Sequence, residues 1–288
     1  MSGLFEPFQF EFFRNGLVAA LLVGGLCGLI GVYVVLRGMS YIGHGLSHAV
    51  FGGAVVSYVL QWNFYLGAGL WGFLAALLIN QTTRRYRIGA DAAIGIVTTA
   101  SFAVGVALIS RVRAFTTNFE AALFGNVLGV TTNDVWVIGA VTALTALAVF
   151  LFYKQLLFTT FDRDVARVYG VRVEWVDTLL SLILASAIIA SMQTLGVTLI
   201  AAALIIPPII ARLLTDSFSH MLLVSVVVGT VAAGVGMYLS YLIDVASGAT
   251  IVLVAAGMFL ATLALNHLRR RESLAMLSSS HAAGEVLE

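Results

Sequence analysis

Long uninterrupted apolar runs, not alternation, organise this chain. Nine can be drawn, at about 16–36, 38–60, 64–83, 91–110, 133–153, 174–192, 196–213, 219–242 and 249–268. As helices rising about 1.5 Å per residue, they span or nearly span a hydrocarbon layer ~30 Å thick. The sixth and seventh are short and closely joined, so the pattern predicts eight to nine transmembrane helices. Continuous runs argue against a membrane β-barrel, whose strands alternate lipid-facing and lumen-facing residues. The predicted fold class is all-α, a polytopic membrane protein.

Alternating crossings sort the basic residues. With Arg37 inside, Arg84, Arg85, Arg87, Lys154, Arg163, Arg167, Arg172, Arg212 and Arg269 to Arg271 also fall inside. Of the 15 Lys and Arg, only Arg14, Arg111 and Arg113 fall outside. The positive-inside rule then puts the N-terminus outside and the C-terminus inside. Three regions follow: 1–15, an interfacial segment with Phe5, Phe8, Phe10, Phe12 and Phe13; 16–268, the membrane domain; and 269–288, a cytoplasmic tail, Ser- and Ala-rich, expected to be disordered.

Two connections are longer than the crossings need. The outer one, 111–132, mixes Phe, Leu and Val with polar residues, as a surface-lying helix would. The inner one, 154–174, is the most charged stretch. There Asp162, Arg163, Asp164 and Arg167 alternate with Phe161, Val165, Ala166 and Val168, a short amphipathic helix ended by Gly170.

Composition agrees: 60% of residues are apolar, 10% are charged, and the mean hydropathy is +1.02, too few charges to clothe a soluble surface. A net charge of +1 gives no reason to expect nucleic acid. The single cysteine, Cys27, excludes a disulfide framework and a thiolate metal cage.

Candidate chemistry lies in the second run, RGMSYIGHGLSHAVFGGAVVSYVL from Arg37 to Leu60. His44 and His48 are four residues apart and leave one face of a helix. If Arg37 marks the membrane edge, they lie roughly 10 Å and 16 Å along the axis from it. An ionisable ring at that depth is costly unless it meets a partner, water or a metal ion. Two such rings on one face, with small Gly45, Ser47, Ala49, Gly52 and Gly53 beside them, favour a metal path over a structural hydrogen bond. Two nitrogens leave a coordination shell incomplete. Asp91, Ser101, Met192 and Gln193 are the further ligand candidates, though Asp91, opening the fourth run, reads first as a charge at a helix N-terminus. Pro207 and Pro208 interrupt the seventh run, as a hinge or as a packed break. Glu120, Asn126 and Asp244 on the outer side are candidates for a gate or a partner contact, and Asp244 also suits a turn cap.

Four stretches carry a family likeness: GLIGVYVVLRGMSYIGHGLSHAVFGG; ADAAIGIV at 90–97; ALFGNVL at 122–128; and FDRDVARVYG through LGVTLIAAALIIPPIIARLL to SYLIDVASGATIVL. In this order they resemble the membrane permease subunit of bacterial ABC importers for zinc, manganese and iron, from about Phe12 to Leu268. The resemblance implies a multi-pass protein of the cytoplasmic (inner) membrane, surrounded by lipid and acting as a homodimer. It also implies a cytoplasmic ABC ATPase dimer as partner, and a metal-binding lipoprotein or periplasmic protein that delivers the ion. The inner amphipathic segment would be the coupling helix, with Asp162, Asp164, Arg167 and Gly170 at the ATPase contact.

No G-x-x-x-x-G-K-[ST] sequence occurs, so ATP must be hydrolysed by another polypeptide and the subunit is not an enzyme. No permanent cofactor is implied, only a divalent metal ion as cargo. The family usually carries Asp, three residues, then His in its second helix; here His44 stands in the Asp position and His48 keeps the histidine. A neutral nitrogen donor suits zinc or ferrous iron better than manganese. Two rivals are a secondary, ion-coupled metal transporter, which would need intramembrane carboxylates that the runs scarcely contain, and a metalloenzyme, for which H-E-x-x-H is missing.

Overall fold

The computed structural model describes residues 6–85, 89–111, 123–125 and 127–284. After a 3-10 turn at Glu6–Gln9, the helices are α1 Glu11–Leu36, α2 Ser40–Val59, α3 Phe64–Arg85, α4 Ala90–Arg111 and α5 Thr132–Leu151. Then come the short α6 Tyr153–Phe161 and α7 Arg163–Val168, followed by α8 Val173–Leu195, α9 Ile200–Leu214, α10 Phe218–Ile243 and α11 Ser247–Gly284. Among the described residues, seven helices have the length and apolar composition to cross a membrane: α1, α3, α4, α5, α8, α10 and α11. α2 matches them in length at 20 residues, but histidine, serine and glycine dilute its hydropathy, and α9 has 15. The sixth and seventh apolar runs are therefore separate helices, parted by Gly196, which takes φ +72°.

α1 and α8 are the most enclosed of the long helices. α1 lies along α10 and also meets α9, α5 and α8, while α2 sits between α3 and α4 and reaches α8 and α9. Small residues make this packing possible, because lipid supplies no hydrophobic drive between helices and close van der Waals approach must hold them. α3 illustrates the rule: Leu66, Leu70, Leu74, Leu77 and Leu78 face outward, while Gly67, Ala68, Gly72, Ala75, Ala76 and Ile79 face inward.

The α1–α10 seam is tighter still. Gly24 and Gly28 of α1 meet Ser225 and Gly229 of α10, so that a methyl group on either α1 glycine would strike a backbone carbonyl of α10. Ser225 Oγ donates to the Gly28 carbonyl at 2.6 Å. Gly28→Leu should force the helices apart at a cost of ~1–3 kcal/mol or more. The expected result is a lowered Tm and loss of a monodisperse peak in detergent; a wild-type melting profile would contradict the seam.

Three details depart from the sequence pattern. α1 starts at Glu11, and Phe13 is fully buried, edge-on to Tyr241 with ring centroids 5.3 Å apart, while Phe8, Phe10 and Phe12 are exposed. Phe13 thus anchors the bundle instead of lying among headgroups. α11 continues to Gly284, into the stretch expected to be a disordered tail; Glu, Leu, Ala and Met there favour helix, and residues 269–283 contain neither Pro nor Gly. α9 runs through Pro207 and Pro208, both buried. The Leu204 carbonyl, deprived of its helical donor by Pro208, lies against Gly31 of α1.

At the end of the bundle away from Arg37, Thr198 just after Gly196 donates through its amide and its hydroxyl to the Leu123 carbonyl, at 3.2 and 2.7 Å. This pins the described part of the long outer connection to the α8–α9 elbow. Most of that connection, including Glu120 and Asn126, lies outside the described residues. Asp244 ends α10 in the left-handed region at φ +53° and is exposed, the geometry of a turn cap.

Candidate functional site

α2 begins three residues after Arg37, and its first two turns carry the candidate ligands. Tyr41 and His44 are exposed and His48 is half-buried, one stripe at spacings of three and four. The imidazoles stand edge to face with centroids 4.7 Å apart, and His48 in turn meets the Phe102 ring of α4 at 5.0 Å. Beside this stripe α2 is closed by α4: Gly45 packs on Ile94 and Thr98, and Gly52 on the Ser101 carbonyl. His48 Nδ1 is buried with no hydrogen-bond partner. A buried nitrogen normally finds one, so this atom is either paying a desolvation cost or reserved for something that binds.

The further ligand candidates are placed variously. Ser101 lies against Gly52, one turn beyond His48, and its hydroxyl donates to the Val97 carbonyl of its own helix at 2.8 Å. Met192 is fully buried in the core and Gln193 is half-buried on α8. Asp91 is exposed at the start of α4 and lines a cavity of about 600 Å³ at the basic end of the bundle, to which Ile42 contributes but neither histidine does. Among the described residues, no three His, Cys, Asp or Glu side chains gather in a way that could hold a metal ion. One chain thus presents an open, two-nitrogen face.

The inner connection folds as two short helices. Asp162 caps α7, its Oδ1 accepting from the amides of Asp164 and Val165 at 2.9 Å each. Asp164 pairs with Arg167 at 3.0 Å, Arg167 reaches Glu174 at 3.4 Å, and Gly170 turns the chain at φ +79°. Within α7 only Ala166 is buried; Val165 and Val168, with Tyr169 after them, point away from the bundle. The apolar face of this segment is therefore offered outward.

One constellation escaped the sequence reading. The Asp177 carboxylate on α8 receives Arg37 Nη1 at 2.9 Å and Arg163 Nη2 at 2.6 Å, with Arg84 Nη2 at 3.6 Å. Arg37 also donates to Thr160 Oγ1 at 3.0 Å and to Thr159 Oγ1 at 2.6 Å, both on α6. Burial pushes the Arg37 guanidinium below its usual pKa, and Asp177 opposes that fall. Breaking such a buried pair from one side costs about 3–5 kcal/mol. The available signal was a carboxylate inside an apolar run, which needs a cation. A second such carboxylate, the buried Asp134 at the start of α5, accepts from Tyr65 Oη at 2.7 Å and closes a capping box with Thr131.

Comparison with known proteins extends this picture. The chain is 40% identical over 251 residues to the "Manganese transport system membrane protein MntC" of Halalkalibacterium halodurans, covering 87% of this chain and 86% of that one. It is 35% identical over 268 residues to the "Probable iron transport system membrane protein" of Haemophilus influenzae, covering 93% and 98%. Among solved structures it superposes on "PsaBC from Streptococcus pneumoniae in complex with Fab" with a TM-score of 0.83 and 36% identity, covering 91% of this chain and 94% of that one. With seven membrane-length apolar helices among its described residues and permease relatives, the protein is a multi-pass protein of the inner membrane. The profile of the ABC 3 transport family matches residues 9–266, and the chain belongs to that family.

Proposed function

We propose that this chain is the membrane-spanning subunit of an ATP-driven importer that moves a divalent transition metal, manganese or iron, inward past His44 and His48. The observation that carries the reading is the α2 stripe: two imidazoles 4.7 Å apart, with a buried, unpaired nitrogen on His48. The relatives named for manganese and iron transport support the cargo class. An exposed imidazole at membrane depth is costly against lipid. A second copy covering the stripe removes that cost and supplies further donors, so the pathway lies between two permease copies. An incomplete shell within one chain suits a carrier, since a closed tetrahedral site would retain its ion.

α7 is the docking element for a cytoplasmic ABC ATPase: its outward Val165 and Val168 give the contact area, and Asp162, Asp164, Arg167 and Gly170 set its charge and rigidity. A metal-binding protein outside the membrane delivers the ion to the opposite end, with Asp244, Glu120 and Asn126 as its contacts or gate.

The donor set also predicts selectivity. Along the first-row series a nitrogen donor favours iron(II) over manganese(II), whereas a carboxylate narrows the gap. His44→Asp should shift the ratio of manganese to iron uptake upward by roughly tenfold, about 1.4 kcal/mol. Competition uptake in cells expressing the whole transporter, read by elemental analysis, measures it; an unchanged ratio would remove His44 from the ligand set.

A further inference from the structure

We infer that Arg37 and Asp177 form the mechanical joint that carries motion from α7 to the histidine-bearing helix, making them positioning residues for transport. The inference rests on the reading of α7 as the ATPase docking element. Three connections meet at this joint. Arg163, the first residue of α7, grips Asp177 Oδ2, while Arg37 holds Oδ1 of the same carboxylate. Arg37 also grips Thr159 and Thr160 of α6, the helix leading directly into α7. Arg37 itself caps α1, and only Gly38 and Met39 separate it from α2. Gly38 takes φ +65° with open space around it, so the corner can swing.

The chemistry suits transmission better than mere support. A carboxylate gripped closely by two guanidiniums, with Arg84 as a third at 3.6 Å, holds fixed directions, because each close fork binds through oriented N–H groups. The Arg37 side chain is 6% exposed and that of Asp177 13%, so water does not loosen the grip, whereas Arg163 at 53% reaches out to the surface element. A displacement of α7 pulls Arg163 and α6 together, and both act on the one residue that begins the turn into α2. His44 and His48 then move within about three helical turns of that corner. The same groups line the cavity of about 600 Å³ at the basic end, which gives the corner room to move.

The test uses the assembled transporter, permease with its ATPase, in proteoliposomes. It compares ATP hydrolysis with uptake of whichever of Mn(II) and Fe(II) the wild type accumulates. Asp177→Asn should keep ATPase co-purification and hydrolysis but lower uptake per ATP by about tenfold, and Asp177→Glu should recover most of it. Arg163→Gln, an exposed change that folding tolerates, should lower uptake per ATP by roughly threefold, and it decides the matter if Asp177→Asn does not fold. A thiol placed by Tyr41→Cys reports on α2 directly, since Cys27 is buried. Its labelling rate should change with nucleotide in the parent and stop changing in the Asp177 and Arg163 variants.

Unchanged uptake per ATP and unchanged nucleotide-dependent labelling in these variants overturn the joint while leaving docking at α7 intact. Loss of ATPase co-purification in Arg163→Gln also overturns it, because the cluster would then be shaping the docking surface. Failure of the docking reading shows itself separately, when charge reversal on α7 itself leaves both ATPase binding and coupling untouched.

Discussion

Replacing His48 with alanine is expected to abolish metal uptake, by at least about 100-fold, while the protein remains folded and bound to its ATPase. The two halves of this expectation come from one geometry. A histidine kept for structure would hold a hydrogen bond, and its removal would strand the partner at a cost of about 1–3 kcal/mol. His48 Nδ1 has no partner to strand. What alanine removes is the edge contact with Phe102, worth about 0.5–1.5 kcal/mol beyond buried area. A modest fall in Tm with complete loss of transport is therefore the signature of a ligand. Uptake at the parental level would end the ligand reading, and a large loss of stability would return His48 to a structural role.

The second large effect is expected at α7. Exchanging the charges there, with Asp164→Lys and Arg167→Glu together, keeps an ion pair within the helix and reverses what a partner meets. That pair is exposed, with side chains 91% and 52% accessible, so it contributes at most about 1 kcal/mol to the fold. The capping carboxylate of Asp162 is untouched. Folding should survive, while uptake driven by ATP should fall by at least about tenfold as docking complementarity is lost, a scale set by like-charge contacts costing several kcal/mol. Co-purification of the ATPase and the ratio of uptake to hydrolysis measure it. If both stay at parental values, α7 is not the docking element.

The helices were legible because hydrophobic patterning is local. Run 64–83 became Phe64–Arg85, and the glycine-flanked His44–His48 pair could be placed on one helical face from spacing alone. What stayed hidden depends on residues distant in the chain. Arg37 served as a marker of the membrane edge, but its partner Asp177 lies 140 positions away, and no periodicity joins them. The outward turn of His44 and the packing of Ile94 and Thr98 on Gly45 beside it are tertiary facts. The apolar residues of α7 could be recognised as one face, but not that this face would point away from its own bundle. Two carboxylates went unread although a local signal was there: an Asp in an apolar run needs a partner, and Asp134 and Asp177 both have one. Neither is left free to ferry a coupling proton, which weighs against the secondary-transporter rival.

The glycine seam between α1 and α10 has a further consequence for how the molecule can rock. Two backbones in direct touch have no cushion of side chains to slide on, so this pair travels as one stiff slab. Gly52 joins α2 to α4 in the same manner, against the Ser101 carbonyl and Gly105. On the proposed transport cycle, inward and outward openings arise by pivoting one slab against the other about the bend at Gly38, and stiffening that bend is expected to freeze the cycle without touching His44 or His48.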